Sequence, residues 1–211
     1  MHHDDYFFRS TSLDEYVSML EENPMASLAF SGSVLDYQDG DMIYRNATEE
    51  DIATIRKCKY ELVAKNCIGA PSAVIIRNNT ILMDENLSWL VDVDWYLKIL
   101  EINDVFIYTE APLIANGIDG KRMTDYCLND KELVQREYLY VYMKHTKMQD
   151  FSYVDALMSK CRNYYWGNKG YWKIEDCVAI VKDAQNDARE IWLLGDSKIR
   201  VFVIYLSLFN Y

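Results

Sequence analysis

Short apolar segments alternate with amphipathic helical segments along residues 1–120, and this alternation constrains the fold more than any other feature of the sequence. Hydrophobic periodicity predicts strands at residues 27–35, 42–45, 71–77, 105–108 and 113–115, and helices at 12–22, from 48 onward and at 92–101. Such alternation indicates an α/β layer in which helices cover a sheet. From about residue 121 the pattern is helical, with segments at 133–144, 154–162, 174–188 and 198–208. We therefore expect an α/β part at 1–120 and a helical C-terminal extension at 121–211.

Three of the predicted helices have a start signal in the sequence. Ser12 followed by Glu15, and Thr48 followed by Asp51, have the spacing of a capping box. Asp92 precedes an apolar periodic segment and is a candidate N-cap.

Composition limits the class of protein and its partners. Half of the residues are hydrophobic and about a quarter are charged, as in globular proteins. The formal net charge of −11 disfavours nucleic acid as a partner, because phosphate backbones would be repelled. The five cysteines form no C-x-x-C pair and are odd in number, so neither a disulfide framework nor a zinc site is indicated. We expect reduced thiols in a cytoplasmic protein.

Two carboxylates and two imidazoles stand together in the sequence His2-His3-Asp4-Asp5. Mg²⁺ and Mn²⁺ prefer oxygen ligands and often share their coordination shell with substrate phosphates, and an imidazole can join a Mn²⁺ site. His2, Asp4 and Asp5 are therefore candidate metal ligands. A solvated, frayed terminus explains the same residues equally well.

A second pair of carboxylates, Asp92 and Asp94, lies in the otherwise apolar segment 89–100. A carboxylate walled by apolar side chains has a raised proton affinity and can serve as a general base. On these residues alone, a simple N-cap at Asp92 and a first-turn acid at Asp94 are the favoured interpretation.

The segment 66–73 has the composition of a tight turn before a strand, because Gly69 and Pro71 restrict its backbone. Such a turn can present backbone N–H groups to a ligand. It can equally be a plain connection, which is the commoner case.

Taken in order, these segments resemble glycosyltransferase family 2, a large group with the GT-A fold that uses nucleotide-diphosphate sugars. The acidic motif of that family corresponds to His2-His3-Asp4-Asp5, and a helix follows it. A later G-x-P-S-A segment corresponds to Gly69-Ala70-Pro71-Ser72-Ala73. The most specific match is the F-D-E-x-L-x-W-x-x-D-x-D stretch, which corresponds to residues 83–94. The resemblance covers about residues 1–125 and implies a partial GT-A, Rossmann-like sheet.

The resemblance also implies roles for individual residues. Asp4 and Asp5, with His2, would hold a Mn²⁺ or Mg²⁺ ion on the diphosphate of the sugar donor. Asp92 would be the catalytic base that removes a proton from the acceptor hydroxyl, with inversion at the anomeric carbon. The implied substrate-binding residues are Asp94 and Trp95 at the acceptor, together with Pro71, Ser72 and Trp89.

The chain departs from the family in three respects. His2 stands where members often have an acid, and Val91 stands where many have Glu. In addition, members carry βαβ units before the acidic motif that bind the nucleotide base and ribose, and this chain begins at the motif. We therefore expect a truncated product, an internal start or one piece of a split protein, and weak nucleotide-sugar binding by the chain alone.

The resulting functional hypothesis is a truncated, metal-assisted, inverting glycosyltransferase of cell-surface polysaccharide synthesis. Its partners would be a nucleotide-diphosphate sugar and a glycan or lipid-linked acceptor. The alternative is a non-catalytic remnant that acts as an interaction module, and a metal-dependent hydrolase ranks last because no further His/Asp cluster follows. The residues Trp192, Phe202 and Tyr205 make peripheral contact with the inner face of the membrane a further hypothesis.

Overall fold

The structure is a computed structural model that describes residues 1–37, 39–118 and 123–146. This part of the chain is a mixed sheet with helices on both sides, which confirms the predicted α/β class. Its strands are β1 (Asp5–Phe7), β2 (Leu28–Tyr37), β3 (Met42–Arg45), β4 (Val74–Ile76) and β5 (Phe106–Ile118). Its helices are α1 (Ser12–Glu21), α2 (Glu49–Lys57), α3 (Glu61–Ala64), α4 (Val91–Ile102), α5 (Met123–Asn129) and α6 (Lys131–Thr146), and Pro71–Ala73 forms one turn of 3₁₀ helix before β4.

Strand β2 is the centre of the sheet. It pairs with β5 in parallel, from Leu28 opposite Phe106 to Tyr37 opposite Ile118. On its other side it pairs antiparallel with β4 and then with β3. Strand β1 completes the order β1-β5-β2-β3 by pairing antiparallel with β5. The carboxyl ends of β2 and β5 therefore lie side by side at one edge.

Both faces of β2 are buried, which places the sheet in the middle of a three-layer arrangement. Helix α1 covers one face, where Leu20 packs with Ala29 and the hydroxyl groups of Tyr16 and Ser31 form a hydrogen bond of 2.6 Å. The larger core lies on the other face. There Leu28, Phe30 and Phe106 of the sheet pack against α3, α4 and α6, which contribute Leu62, Val63, Val93, Tyr96, Leu97, Leu100, Val134, Tyr138 and Val141.

The two strands predicted at 105–108 and 113–115 are one continuous strand, β5. Its register against β2 shifts where Gly32 faces Pro112. Proline has no N–H to donate to a ladder, so it is tolerated at a bulge and does not end the strand.

Two of the predicted N-caps are wrong, although their helices lie where predicted, and the third N-cap is confirmed. Thr11 is the N-cap of α1, while the hydroxyl of Ser12 accepts the Arg9 N–H. Helix α4 begins at Val91, so Asp92 lies inside the first turn and does not cap it. In α2, Thr48 and Asp51 exchange both hydrogen bonds of a capping box, as predicted.

Helix α6 confirms the helix predicted at 133–144. The other predicted helices of the extension, at 154–162, 174–188 and 198–208, lie outside the described residues, as do Trp192, Phe202 and Tyr205. Within the described ranges, no helix has both the length and the apolar character needed to cross a bilayer. The thiols of Cys58, Cys67 and Cys127 are free.

Candidate functional site

The acidic segment at the start of the chain is held against the end of β5. Asp5 lies opposite Asn116 in the β1–β5 ladder, and the Gly117 N–H donates to the Asp4 carbonyl oxygen at 3.2 Å. A Cβ atom at Gly117 would lie 2.6 Å from that same oxygen, so only glycine allows the approach. The segment is thus a fixed part of the sheet edge, in contrast to the frayed terminus left open by the sequence.

His2, Asp4 and Asp5 come together at this edge. One potential ligand atom from each lies within 4.8 Å of the others. His2 is exposed, while Asp4 and Asp5 are partly buried. Two carboxylates and one imidazole within the reach of one ion fit Mn²⁺ or Mg²⁺. Exposed acidic groups also gather in this way in proteins that bind no ion, so the fit is a property of the ligand set and no more.

A hydrogen bond joins this cluster to the 3₁₀ turn before β4. The backbone N–H of His2 donates to the Ser72 hydroxyl at 2.9 Å. Ser72 is buried, and Pro71 begins the turn, where its fixed φ angle suits the helical geometry. The structure therefore brings Pro71 and Ser72 next to the predicted metal ligands.

The loop before this turn connects it to Asp92. Gly69 has a φ of 92°, a left-handed conformation that glycine adopts without strain. The Asn66 side chain accepts the Gly69 N–H at 3.0 Å and donates to the Gly69 carbonyl at 3.1 Å. It also donates to the Asp92 carboxylate at 2.9 Å. The Tyr96 hydroxyl donates to the Gly69 carbonyl at 3.0 Å, which fixes the loop on α4.

Asp92 is partly exposed to solvent, and its carboxyl is nevertheless largely surrounded by protein atoms. Burial raises the pKa of its carboxyl to about 6, although hydrogen bonds from the Val93 N–H, its own N–H and the Asn66 amide act in the opposite direction. Above that pH the group is an ionised carboxylate with a higher proton affinity than an ordinary aspartate. This is the property that a general base needs near neutral pH.

Asp94 lies in a different environment, although it is only two residues away. Its side chain is completely buried, and it contacts Lys98 at 2.7 Å, Lys144 at 2.6 Å and His145 at 2.8 Å. Burial alone would raise its pKa, but the hydrogen bonds from His145, Lys144 and Lys98 outweigh burial and hold the pKa below its usual value. The structure places Asp94 in a buried cluster with Lys98, Lys144 and His145, and its predicted contact with the acceptor stays a prediction.

The two predicted tryptophans flank the start of α4. The indole N–H of Trp95 donates to the Ile81 carbonyl at 3.0 Å, and the Trp95 ring lies 5.8 Å from that of Tyr96. The backbone N–H of Trp89 donates to the carboxylate of Glu137 at 2.8 Å. Both side chains are partly buried. Their predicted contact with substrate stays a prediction.

Four residues of α6 that contact this region were not predicted from the sequence. They are Glu137, Tyr140, Lys144 and His145. Glu137 is buried on the same helical stripe as Val134 and Val141, with spacings of three and four residues. A charged residue on an apolar helical stripe was the available signal that the extension contacts the α/β part through polar groups.

Comparison of the sequence with models of known families gives no match, and comparison with curated protein sequences gives no significant match either. The likeness to glycosyltransferase family 2 therefore depends on the sequence motifs alone.

Proposed function

We propose that this chain contributes the metal-binding and acceptor-side part of an inverting glycosyltransferase with a GT-A-type sheet. The reaction would transfer a sugar from a nucleotide-diphosphate sugar to a hydroxyl of a glycan or lipid-linked acceptor, in the synthesis of cell-surface polysaccharide. One observation carries the proposal: hydrogen bonds connect the His2–Asp5 segment to Asp92 through the loop 66–73. The two acidic groups that the reaction needs are thus both attached to the loop 66–73, one at Ser72 and the other at Asn66.

The position of the acidic segment in the sheet supports the same proposal. In open α/β sheets, ligands bind beyond the carboxyl ends of the parallel strands. Strands β2 and β5 are parallel and end at Tyr37 and Ile118. Asp4 and Asp5 lie against Gly117 and Asn116 at that same end of β5.

Asp92 is the base in this proposal. Its carboxylate takes the proton of the acceptor hydroxyl while the hydroxyl oxygen attacks the anomeric carbon. The bond between that carbon and the diphosphate oxygen breaks, and the nucleoside diphosphate leaves with the electron pair. Because attack occurs opposite the leaving group, the anomeric configuration inverts.

His2, Asp4 and Asp5 would hold the Mn²⁺ or Mg²⁺ ion, which when bound supplies positive charge against the departing diphosphate. The chain's own residues fix the geometry. Ser72 orients the His2 end of the segment, and Asn66 orients Asp92.

An interaction module remains the second candidate function, and one observation favours it. Within the described residues, β3 pairs on one side only, with β2, and its residues Met42, Ile43 and Tyr44 are 49, 52 and 61% exposed. An exposed apolar edge strand is a site where another chain can add a strand. This function would not need Asp92, whereas the transferase does.

Two measurements test the proposal. The first is Mn²⁺ binding by the purified chain, followed by electron paramagnetic resonance. We expect the double change Asp4→Asn with Asp5→Asn to reduce the affinity at least tenfold, and Asp14→Asn, on the exposed face of α1, to leave it unchanged. Equal Mn²⁺ binding by all three proteins would remove the metal site from the proposal.

The second is transfer itself, measured as nucleoside diphosphate release from UDP- and GDP-sugars with the chain expressed in its natural gene context. Asp92→Asn should abolish release while donor binding persists. The control is Asp104→Asn, which follows α4 at its opposite end. Release by Asp92→Asn at the natural rate would exclude Asp92 as the base, whereas the absence of release from the natural chain itself would favour the interaction module.

A further inference from the structure

Helix α6 holds the segment that presents Asp92 through four side chains, which we call the α6 clamp: Glu137, Tyr140, Lys144 and His145. At one end of the clamp, the Glu137 carboxylate accepts three backbone N–H groups, those of Ser88, Trp89 and Leu90, at 2.8, 2.8 and 2.9 Å. At the other end, Lys144 contacts the carboxylates of Asp84 and Asp94 at 2.7 and 2.6 Å. The clamp therefore contacts residues 84–94 at the beginning, in the middle and at the end of this segment.

Glu137 provides a hydrogen-bond acceptor at the start of α4 that the helix itself does not provide. The first N–H groups of a helix have no partner within the helix and need acceptors from elsewhere. Leu90, the N-cap of α4, makes no capping hydrogen bond with its side chain. Glu137 is only 3% exposed, and it supplies the missing acceptor from a helix 47 residues further along the chain. A negative charge at this place also interacts favourably with the positive end of the helix dipole.

The carboxylate of Asp92 accepts the N–H group of Val93, in the first turn of the same helix, at 2.8 Å. Glu137 thus accepts N–H groups before the helix and at its N-cap, and Asp92 accepts those of Val93 and of its own backbone in the first turn. If the groups before the helix lost their acceptor, the start of α4 could fray, and the orientation of Asp92 toward Asn66 would change with it.

We propose that Glu137 is a positioning residue for Asp92, which fixes the start of α4 so that the Asp92 carboxylate faces the loop 66–73. The inference rests on the proposed function only in that Asp92 is taken to be the catalytic base. The contacts themselves, and the orientation that they impose, can be measured without any turnover.

The test compares the purified natural chain with Glu137→Gln by nuclear magnetic resonance. The glutamine keeps the length of the side chain, but it loses the charge and one acceptor oxygen. We expect amide hydrogen exchange at Ser88, Trp89 and Leu90 to become at least about tenfold faster, because hydrogen bonds to a charged acceptor are the strong ones. The matched control is Glu101→Gln, which removes the same charge from the far end of α4, where Glu101 contacts His145 of the clamp at 2.9 Å.

The titration of the Asp92 carboxyl is the second readout, and a merely structural role of Glu137 would not move it. If Glu137 orients Asp92, its replacement weakens the hydrogen bonds from Asn66 and Val93 that favour the ionised carboxylate, so the midpoint should rise in Glu137→Gln, whereas loss of the charge alone would lower it. The other groups that face Asp92 are the Asn66 amide from the loop and the Tyr96 hydroxyl from α4, and neither is altered by the change. Glu101→Gln should leave the midpoint in place.

A shorter variant keeps the test decisive if Glu137→Gln does not fold. Glu137→Asp retains the charge but shortens the reach by one methylene, so exchange at residues 88–90 should still accelerate about threefold or more. Unchanged exchange and an unchanged Asp92 midpoint in the folded variants would overturn the inference. If both readouts change as expected but no sugar transfer is ever detected, the positioning role stands and the proposed function fails.

Discussion

Asn66 donates a hydrogen bond of 2.9 Å to the carboxylate of Asp92, a residue 26 positions further along the chain. The same amide group braces Gly69 from both sides, through its oxygen and its nitrogen. One side chain therefore sets both the shape of the loop before the Pro71–Ala73 turn and the environment of the carboxylate that we assign as the base.

Removing this side chain should raise the pKa of Asp92 further. The Asn66 hydrogen bond favours the ionised carboxylate and lowers the pKa of Asp92, whereas burial raises it. In Asn66→Ala the lowering contribution is lost and the effect of burial remains. We expect the Asp92 midpoint to move above its value of about 6. A carboxyl-detected NMR titration measures it. Asn79→Ala, which removes an exposed asparagine that bonds only nearby backbone groups, is the control and should leave the midpoint in place.

Replacing Asp92 should change how stability depends on pH. The folded chain keeps this carboxyl protonated up to about pH 6, whereas the unfolded chain releases the proton near pH 4. Ionisation of Asp92 therefore destabilises the natural fold as the pH rises through that window, and Asp92→Asn lacks this loss.

Between pH 4 and pH 8, the free energy of unfolding of Asp92→Asn should gain about 2 kcal/mol relative to the natural chain. Urea unfolding of both proteins at the two pH values measures the difference. A difference that is independent of pH would mean that Asp92 titrates normally and has no special environment.

Local patterns were sufficient to predict most elements of the fold. Strands β2, β3 and β4 and helices α1, α2 and α4 follow from hydrophobic periodicity and turn residues, which act over a few positions. The course of β5 through Pro112 was mispredicted, because it depends on a bulge opposite Gly32 in a strand some eighty positions away. The pairing of β1 with β5, which fixes Asp4 and Asp5, joins residues more than a hundred positions apart and has no local signal.

In the candidate site, too, local sequence predicts some features and long-range packing decides the others. Sequence alone gives Asp92 and Asp94 similar surroundings, since both lie between apolar residues at a predicted helix start. Only tertiary packing separates them, because helical geometry turns one carboxylate toward Asn66 and the other toward Lys144 and His145 of α6. The contacts of the clamp could not be predicted, since a charged residue on the apolar stripe of α6 indicates a buried polar contact but not the residues at the other end of it.

The glycine at position 117 offers a way to disturb the proposed metal site without changing a ligand. In Gly117→Ala the added Cβ would meet the Asp4 carbonyl oxygen at 2.6 Å, so the acidic segment must move away from β5. We expect Mn²⁺ affinity to fall about tenfold, because a ligand displaced by about an ångström loses most of its bond to the ion.

Gly40→Ala is the comparison for that experiment. Gly40 has a positive φ but no atom within 4 Å of an added Cβ, so the change introduces local strain in the β2–β3 turn without meeting an atom of the acidic segment, and it tests whether destabilisation alone weakens binding. If the two variants bind Mn²⁺ equally, the position of Asp4 does not determine the affinity.

The free energy of unfolding of Asp94→Asn, relative to the natural chain, should depend on pH in the opposite sense to that of Asp92→Asn. The carboxylate of Asp94 balances Lys98, Lys144 and His145 in a buried cluster, and its pKa in the folded chain lies below the usual value. Its stabilising effect is therefore complete above about pH 4 and is lost only as the pH falls through the lowered folded value. At pH 7, breaking such a buried cluster should reduce the free energy of unfolding by about 3 kcal/mol.

The two aspartate variants thus make one experiment, in which urea unfolding is followed from pH 3 to pH 8. Relative to the natural chain, Asp92→Asn should gain stability as the pH rises, and Asp94→Asn should approach the natural stability as the pH falls. The opposite signs at positions two residues apart distinguish a carboxyl destabilised by burial from one stabilised by the α6 clamp. Curves of the same sign would mean that α6 does not hold Asp94 in solution.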